Sequence, residues 1–270
     1  MSFGCKYVFL DVDGTLLPFG KPVPDSAVDA LQKAHEKGNK LFLCTGRSRN
    51  ELPGCITALP FDGMVLGAGA LLYAEGELVS SKAFDNRQLA RFVTYCQAHE
   101  VGMYLQTEAI TYTTKQDFDL IASIFLQYLG TLLDIKGITI CDEVSFVKDV
   151  TKVFFFSRKT TTEQVRQYWS EHFIVMDNST GLPASVCGEL MQKGVTKAKG
   201  MLDILTYYGS GAKDAIAIGD SSNDLEMLEA ASVGIAMGNG LPSLKAHADF
   251  VTTDILEDGI RNAFARYHLI

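Results

Sequence analysis

Apolar runs of strand length that end in acidic or hydroxyl-bearing residues limit the folds available to this chain more than any other feature. The first run, Tyr7-Val8-Phe9-Leu10, is apolar throughout and predicts a strand that is covered on both faces, as in a parallel sheet. Asp11 and Asp13 follow it, and Gly14 comes next, where a turn needs positive φ or close backbone approach. Two neighbouring carboxylates at a buried strand end are unfavourable unless a cation, a hydrogen-bond donor or a proton compensates them. This strand end is therefore a candidate site.

The N-terminal region alternates strands with a helix. Strands are predicted at 6–11, 40–45 and 63–66. Between the first two, residues 23–39 are amphipathic and begin with Pro24-Asp25, so they predict a helix. A strand, a helix and a second strand at this spacing predict a βαβ unit and thus a parallel sheet.

The C-terminal region also alternates predicted strands with helices. We expect helices at 193–209, 222–231 and 257–267, and strands at 214–220, 232–238 and 249–253. Both ends of the chain therefore belong to one α/β domain.

The middle of the chain differs from both ends. It combines predicted helices with alternating strands, and the pair at 102–107 and 110–114 predicts an antiparallel hairpin. The other predicted elements are helices at 86–100, 117–129 and 161–171 and strands at 151–157 and 173–177. We therefore predict a catalytic core formed by 1–82 and 188–270, with an inserted α+β domain at 83–187.

Composition excludes some classes of function. The formal charge of −8 argues against a nucleic-acid or anionic-membrane partner. No apolar segment approaches the roughly 20 residues that span a bilayer, and acidic residues interrupt the first apolar run by position 11, so no signal peptide is expected. The six cysteines are scattered and predict reduced thiols. Together these features predict a cytoplasmic protein.

Three polar clusters fall where predicted parallel strands end. Asp11 and Asp13 end the first strand, Thr45-Gly46-Arg47 end the second, and Asp220 ends the strand at 214–220. Asp224 follows four residues later, within one helical turn of Asp220. Ligands bind at the carboxyl ends of the strands in such sheets, so we expect these side chains to line one crevice. For Arg47, two interpretations remain: a contact with substrate, or an ordinary position at the surface or at a helix start.

These residue types suit phosphoryl chemistry. Asp11 and Asp220 offer the hard oxygen ligands that Mg²⁺ prefers. The Asp11 carboxylate could attack phosphorus and form an aspartyl-phosphate, and Asp13 could protonate the leaving oxygen and later deprotonate a water. Thr45 offers a hydroxyl donor and Lys193 a cation for the phosphate oxygens.

The ordered set "DVDGTLL", "CTGR", "KGVTK" and "GDSSND" resembles the haloacid dehalogenase (HAD) superfamily, and within it the Cof-type phosphatases of subfamily IIB. The segment "AMGNG" at 236–240 also fits this subfamily. The resemblance covers the whole chain and implies a Rossmann-like parallel core with an inserted α+β cap of the C2B type. It also implies an Mg²⁺-dependent phosphatase that hydrolyses a small phosphorylated metabolite, such as a sugar phosphate, through an aspartyl-phosphate.

The resemblance assigns a role to each motif residue. Asp11 is the expected nucleophile and Asp13 the acid/base. The phosphate-binding residues are Thr45, Gly46, Lys193 and Asn223. The expected metal ligands are Asp11, the backbone carbonyl of Asp13, and Asp220, with Asp224 in support.

One position departs from the subfamily pattern, and two other functions stay open. The subfamily usually has Asn-Gly-Ala after the third strand, whereas this chain has Ala68 in the Asn place, which affects a contact on the substrate side. A phosphomutase would carry a related cap, and a phospho-acceptor signalling module would combine similar residues in a shorter chain without a cap. The motifs handle only the phosphoryl group, so the inserted domain is expected to set substrate choice. Oligomeric state cannot be inferred.

Overall fold

A computed structural model describes residues 5–130, 137–177 and 182–270. Its strands are β1 Tyr7–Leu10, β2 Lys40–Cys44, β3 Gly63–Leu66, β4 Leu71–Ala74, β5 Glu77–Ser81, β6 Gly102–Gln106, β7 Thr111–Thr114, β8 Ile138–Cys141, β9 Lys152–Phe156, β10 Phe173–Asp177, β11 Cys187–Gln192, β12 Ala215–Gly219, β13 Val233–Ala236 and β14 Phe250–Val251. Its helices are α1 Asp25–Glu36, α2 Gly54–Thr57, α3 Asn86–Ala98, α4 Lys115–Leu129, α5 Thr162–Trp169, α6 Lys197–Tyr207, α7 Leu225–Ala230, α8 Pro242–Lys245 and α9 Gly259–Arg266. Among these helices, none has the length and apolar character needed to cross a membrane.

The chain divides into two compact units, and the first contains 1–47, 52–80 and 196–270. Its sheet has the strand order β14-β13-β12-β1-β2-β3-β4-β5. The strands from β14 to β3 pair in parallel, and β4 turns back antiparallel to β3. The predicted parallel sheet is therefore confirmed, with β1 between β2 and β12.

Both faces of this sheet are buried, which explains the apolar strand sequences. Alternate residues of β1 point to opposite faces. Val8 and Leu10 pack with side chains of α1 and α9 such as Leu31 and Phe264, whereas Phe9 packs with α6 residues such as Met201. Each such buried side chain stabilises the fold by about 1.5–3 kcal/mol. The strand ends are thereby held on a rigid support.

The second unit contains 48–51 and 81–195 and has its own sheet, of order β10-β11-β9-β6-β7-β8. β6 and β7 form the predicted antiparallel hairpin. The central strand β9 is buried throughout. Phe155 packs with Phe92 of α3 and Trp169 of α5 on one face, while Phe154 packs with Ile121 of α4 on the other. Mixed strands and helices make this an α+β unit, as the resemblance implies.

The boundary between the units differs from the predicted one. Strand β11 pairs with both β9 and β10, so ending the inserted domain at 187 would remove a strand from its own sheet. The second unit therefore continues to Val195. Besides 48–51, its main segment begins at Ser81. Residues 131–136 and 178–181 of the predicted inserted domain lie outside the described part of the chain.

Candidate active site

The carboxyl ends of β1 and β12 bring three aspartates together. Asp11 follows β1 and is almost fully buried, and its N–H donates to the Ile218 carbonyl of β12 at 3.0 Å. Carboxylate oxygens of Asp11, Asp220 and Asp224 all lie within 4.8 Å of one another. The predicted crevice between the central strand and its neighbour is therefore lined by acid groups.

Lys197 is the cation of this cluster, and sequence reasoning missed it. Its Nζ lies 2.6 Å from Asp11 Oδ1, 2.7 Å from Asp224 Oδ1 and 3.2 Å from Asn223 Oδ1. The side chain is only 1% exposed. Burial alone would lower the pKa of Lys197, but the adjacent carboxylates outweigh it and raise the pKa above its ordinary value. Lys197 is therefore a buried ammonium ion.

The lysine that contacts Asp11 is Lys197, whereas the sequence predicted Lys193. Lys193 belongs to the second unit and is exposed to solvent. The reason is the start of α6: the predicted helix at 193–209 begins instead at Lys197, where the Thr196 side chain accepts the N–H of Lys199 at 3.2 Å. A threonine before the first helical turn is a helix-start signal, and it would have favoured Lys197 over Lys193 within "KGVTK".

Asp224 fixes the loop after β12. It is fully buried, and its Oδ2 accepts the N–H groups of Asp220 and Ser221 at 3.0 Å each. Its other oxygen accepts from Lys197. The expected supporting residue thus contacts the lysine and the backbone of Asp220 at once, which sets their separation.

The loop after β2 places Arg47 against Asp13. Thr45 is buried, and its hydroxyl accepts the N–H of Arg47 at 3.2 Å; Gly46 between them is half-buried. Arg47 donates from Nε to Asp13 Oδ2 at 2.8 Å and from Nη2 to Asp13 Oδ1 at 2.7 Å. Such paired bonds hold a carboxylate in a fixed orientation. Arg47, left open by the sequence, is thus a partner of Asp13.

The acid cluster has the electrostatics of a cation site. Burial raises the pKa of Asp220 to about 6, with Asp224 adding to the effect and Lys197 and Thr15 opposing it. Burial likewise raises the pKa of Asp11, against the opposing charge of Lys197. Carboxylates whose ionisation is resisted by burial and by one another gain from a bound cation. These hard oxygen donors therefore fit Mg²⁺.

Gly14 meets a steric requirement at this site. Its φ is +80°, and a Cβ added there would lie 2.3 Å from Asp220 Oδ2. A side chain would clash with the carboxylate, and positive φ also disfavours one. The turn expected after Asp13 is therefore pressed directly against Asp220.

The turn after β3 contacts the Thr45 loop. Ala68 has φ 53° and ψ 34°, a left-handed conformation that Asn tolerates better than Ala. Its N–H donates to the Thr45 carbonyl at 2.9 Å, and the N–H of Gly67 donates to the Arg47 carbonyl at 2.9 Å. The Asn that the subfamily usually has at this position would therefore suit the backbone conformation of this turn.

The structure brings together all but one of the residues expected in the site. Seven of the expected residues belong to the first unit and follow its parallel strands: Asp11, Asp13, Thr45, Gly46, Asp220, Asn223 and Asp224. Lys193 is the exception. The structure adds two residues to the expected set, Lys197 and Arg47.

Comparison with known proteins agrees with this geometry. The chain is 27% identical to the 5-amino-6-(5-phospho-D-ribitylamino)uracil phosphatase YitU of Bacillus subtilis, over 96% of both chains. It is 28% identical to the chloroplastic endoribonuclease YBEY of Arabidopsis thaliana; this match covers 97% of the chain but only 46% of that protein. The solved structure of the HAD subclass IIB sugar phosphatase BT4131 matches with a TM-score of 0.81 and 27% identity, covering 98% of this chain and 100% of that one. The model of the haloacid dehalogenase-like hydrolases matches residues 8–264, and the chain belongs to this family.

Proposed function

We propose that this protein is an Mg²⁺-dependent phosphatase that hydrolyses a small phosphorylated metabolite, such as a sugar phosphate. The observation that carries the proposal is the buried Asp11 carboxylate, paired with Lys197 at the end of the central strand. YitU and BT4131 are both named phosphatases, the latter a sugar phosphatase. Their shared family supports the same reaction class here.

In the proposed reaction, Asp11 is the nucleophile. A carboxylate oxygen of Asp11 forms a bond to phosphorus as the bond from phosphorus to the substrate oxygen breaks, and Asp13 gives that oxygen a proton. A water then attacks phosphorus and releases Asp11, while Asp13 takes the proton back. Arg47 orients the Asp13 carboxylate for this exchange.

The remaining groups stabilise charge on the phosphoryl oxygens. Lys197 takes the role expected of Lys193. Thr45 and Asn223 supply further polar side chains, and Asn223 Oδ1 accepts a hydrogen bond from Lys197. Asp11, Asp220 and the backbone carbonyl of Asp13 would hold Mg²⁺, which supplies positive charge to offset that of the phosphoryl group. Asp224 holds Lys197 and the backbone of Asp220 in place.

Release of inorganic phosphate tests this proposal. The protein would be incubated with a panel of phosphorylated sugars, nucleotides and cofactors, with Mg²⁺ and with excess chelator. We expect at least one compound to be hydrolysed with Mg²⁺ and none in chelator. Isomerised sugar phosphate without free phosphate would indicate a phosphomutase, and a stable phosphoprotein without turnover would indicate a phospho-acceptor module. Either outcome would overturn the proposal.

The motif residues are assigned to the phosphoryl group, so the choice of substrate is assigned to the inserted domain, which stays a prediction. A cytoplasmic location and the absence of a nucleic-acid partner stay predictions.

A further inference from the structure

Asn239 joins two chain segments that meet at the acid cluster. Its Nδ2 donates to the Gly14 carbonyl at 2.7 Å, and its Oδ1 accepts the N–H of Ile255 at 2.9 Å. Asn239 is 225 residues from Gly14 in the chain. It lies in "AMGNG", a segment to which neither the proposed mechanism nor the expected metal ligands give a role.

The segment around Asn239 is tied to the strand that carries Asp220. Met237 donates its N–H to the Gly219 carbonyl at 2.9 Å, and Leu241 donates to the Asp220 carbonyl at 2.8 Å. The N–H of Gly240 closes a tight turn onto the Met237 carbonyl at 2.9 Å. Asn239 is therefore held at the tip of a turn whose two ends are bonded to the end of β12.

Gly14 is shared by two peptide groups beside the cation site. Asn239 binds the carbonyl of the Gly14–Thr15 peptide, and the preceding Asp13–Gly14 peptide carries the Asp13 carbonyl. The Gly14 N–H donates to the Leu17 carbonyl at 3.0 Å. Since a trans peptide is planar, this bond aims the Asp13 carbonyl, an expected ligand, in the opposite direction. Gly14 also lies directly against the Asp220 carboxylate. Rotation of the Gly14 backbone would therefore turn the Asp13 carbonyl and change the contact between Gly14 and the Asp220 carboxylate.

We propose that Asn239 is a positioning residue for the cation site: by binding the Gly14 carbonyl, it holds the Gly14 backbone at a fixed place beside Asp220. The inference rests on the proposed function, because it assumes that these groups bind Mg²⁺. Asn239 itself is exposed and acts through its two backbone hydrogen bonds. Without its amide, Gly14 loses the only side-chain bond to its carbonyl among the described residues.

The test measures Mg²⁺ binding to the metal-free protein by titration calorimetry, with no substrate present. Asn239→Ala is expected to weaken Mg²⁺ binding about 10-fold, the usual effect of removing a group that supports metal ligands. The matched control is Asn262→Ala. Asn262 is also exposed and donates to Thr253 Oγ1 at 2.8 Å and to the Glu257 carbonyl at 3.2 Å, so its loss loosens the same 253–257 loop without affecting Gly14.

The outcomes separate this inference from the proposed function. Weakened Mg²⁺ binding in Asn239→Ala, with wild-type binding in Asn262→Ala, would support it. Equal binding by Asn239→Ala and wild type, or equal weakening in both variants, would overturn it while leaving the phosphatase proposal intact. If the wild-type protein bound no Mg²⁺, the proposed function would fail first, and this inference with it.

Discussion

The ammonium of Lys197 lies 2.6 Å from the carboxylate of Asp11, although 186 residues separate them in the chain. The pair links the first helical residue of α6 to the end of β1. Because Asp224 contacts the same ammonium, one positive charge serves two buried carboxylates. In the resting protein, the Lys197 ammonium therefore offsets the negative charge of Asp11, the expected nucleophile. The same ammonium lies beside the place where the phosphoryl group would bind.

Lys197→Ala is predicted to lower kcat by about 100-fold or more, the effect of removing a preorganised charged donor. It should also destabilise the fold by about 3 kcal/mol, because two buried carboxylates lose their partner. Phosphate-release kinetics and thermal unfolding measure the two effects. Lys193→Ala is the matched control, and its exposed side chain should leave both values near wild type. Equal losses in the two variants would contradict the role given to Lys197.

Asp11→Asn is predicted to reduce turnover to background while the protein stays folded. The amide keeps the shape of the carboxylate but lacks the attacking charge, and Lys197 keeps Asp224 as a partner. Phosphate release and circular dichroism would be compared with Asp29→Asn, which breaks an exposed pair with Lys33 and should be fully active. Activity above a few per cent of wild type in Asp11→Asn would exclude it as the nucleophile.

The strand ends could be predicted because their sequence signal is local. An apolar run followed by Asp11 or Asp220 marks a buried strand and its edge, and the parallel sheet then forces those edges together. The choice between Lys193 and Lys197 is different in kind. It depends on a helix start shifted by one turn, which the hydrophobic pattern alone does not fix.

Strand β11 was not predicted from the sequence. Because this strand was missing from the prediction, the inserted domain was predicted to end too early, at residue 187. The sequence of β11, Cys187–Gln192, contains Gly188 and Glu189, which disfavour a strand on propensity alone. The strand forms because β9 and β10 flank it on both sides. Gly188 is needed there, since an added Cβ would lie 2.6 Å from the Phe155 ring. Tertiary packing of this kind cannot be inferred from one sequence.

In chelator, the protein is predicted to lose stability as pH rises from about 4 to about 6. The pKa of Asp220 is raised to about 6, first by burial and then by Asp224. The folded state therefore holds this proton more tightly than the unfolded chain, and its free energy of unfolding falls until Asp220 ionises. The loss is at most about 3 kcal/mol. Thermal unfolding followed across this pH range would measure it.

Asp220→Asn is expected to flatten this pH dependence and to raise the unfolding temperature of the metal-free protein at pH 7. Asp203→Asn, which alters an exposed pair with Lys199, serves as the control and should retain the wild-type slope. A wild-type slope in Asp220→Asn would show that another group controls the stability.

Gly69→Ala is predicted to disturb the start of the helix that carries Lys197. Gly69 has φ +108°, and a Cβ there would lie 2.3 Å from the Thr196 carbonyl oxygen. Because Thr196 caps α6, relief of this clash must move either the turn after β3 or the first turn of α6. We expect a loss of about 2 kcal/mol or more in stability and a fall in kcat that exceeds any change in KM.

Gly76→Ala is the matched control: its φ is +85°, but no atom lies within 4 Å of the added Cβ. Gly76→Ala should lower the free energy of unfolding by only about 1 kcal/mol, the effect of placing a side chain at positive φ, and should keep the wild-type kcat. If both variants kept the wild-type kcat, the contact between Gly69 and Thr196 would have no part in placing Lys197.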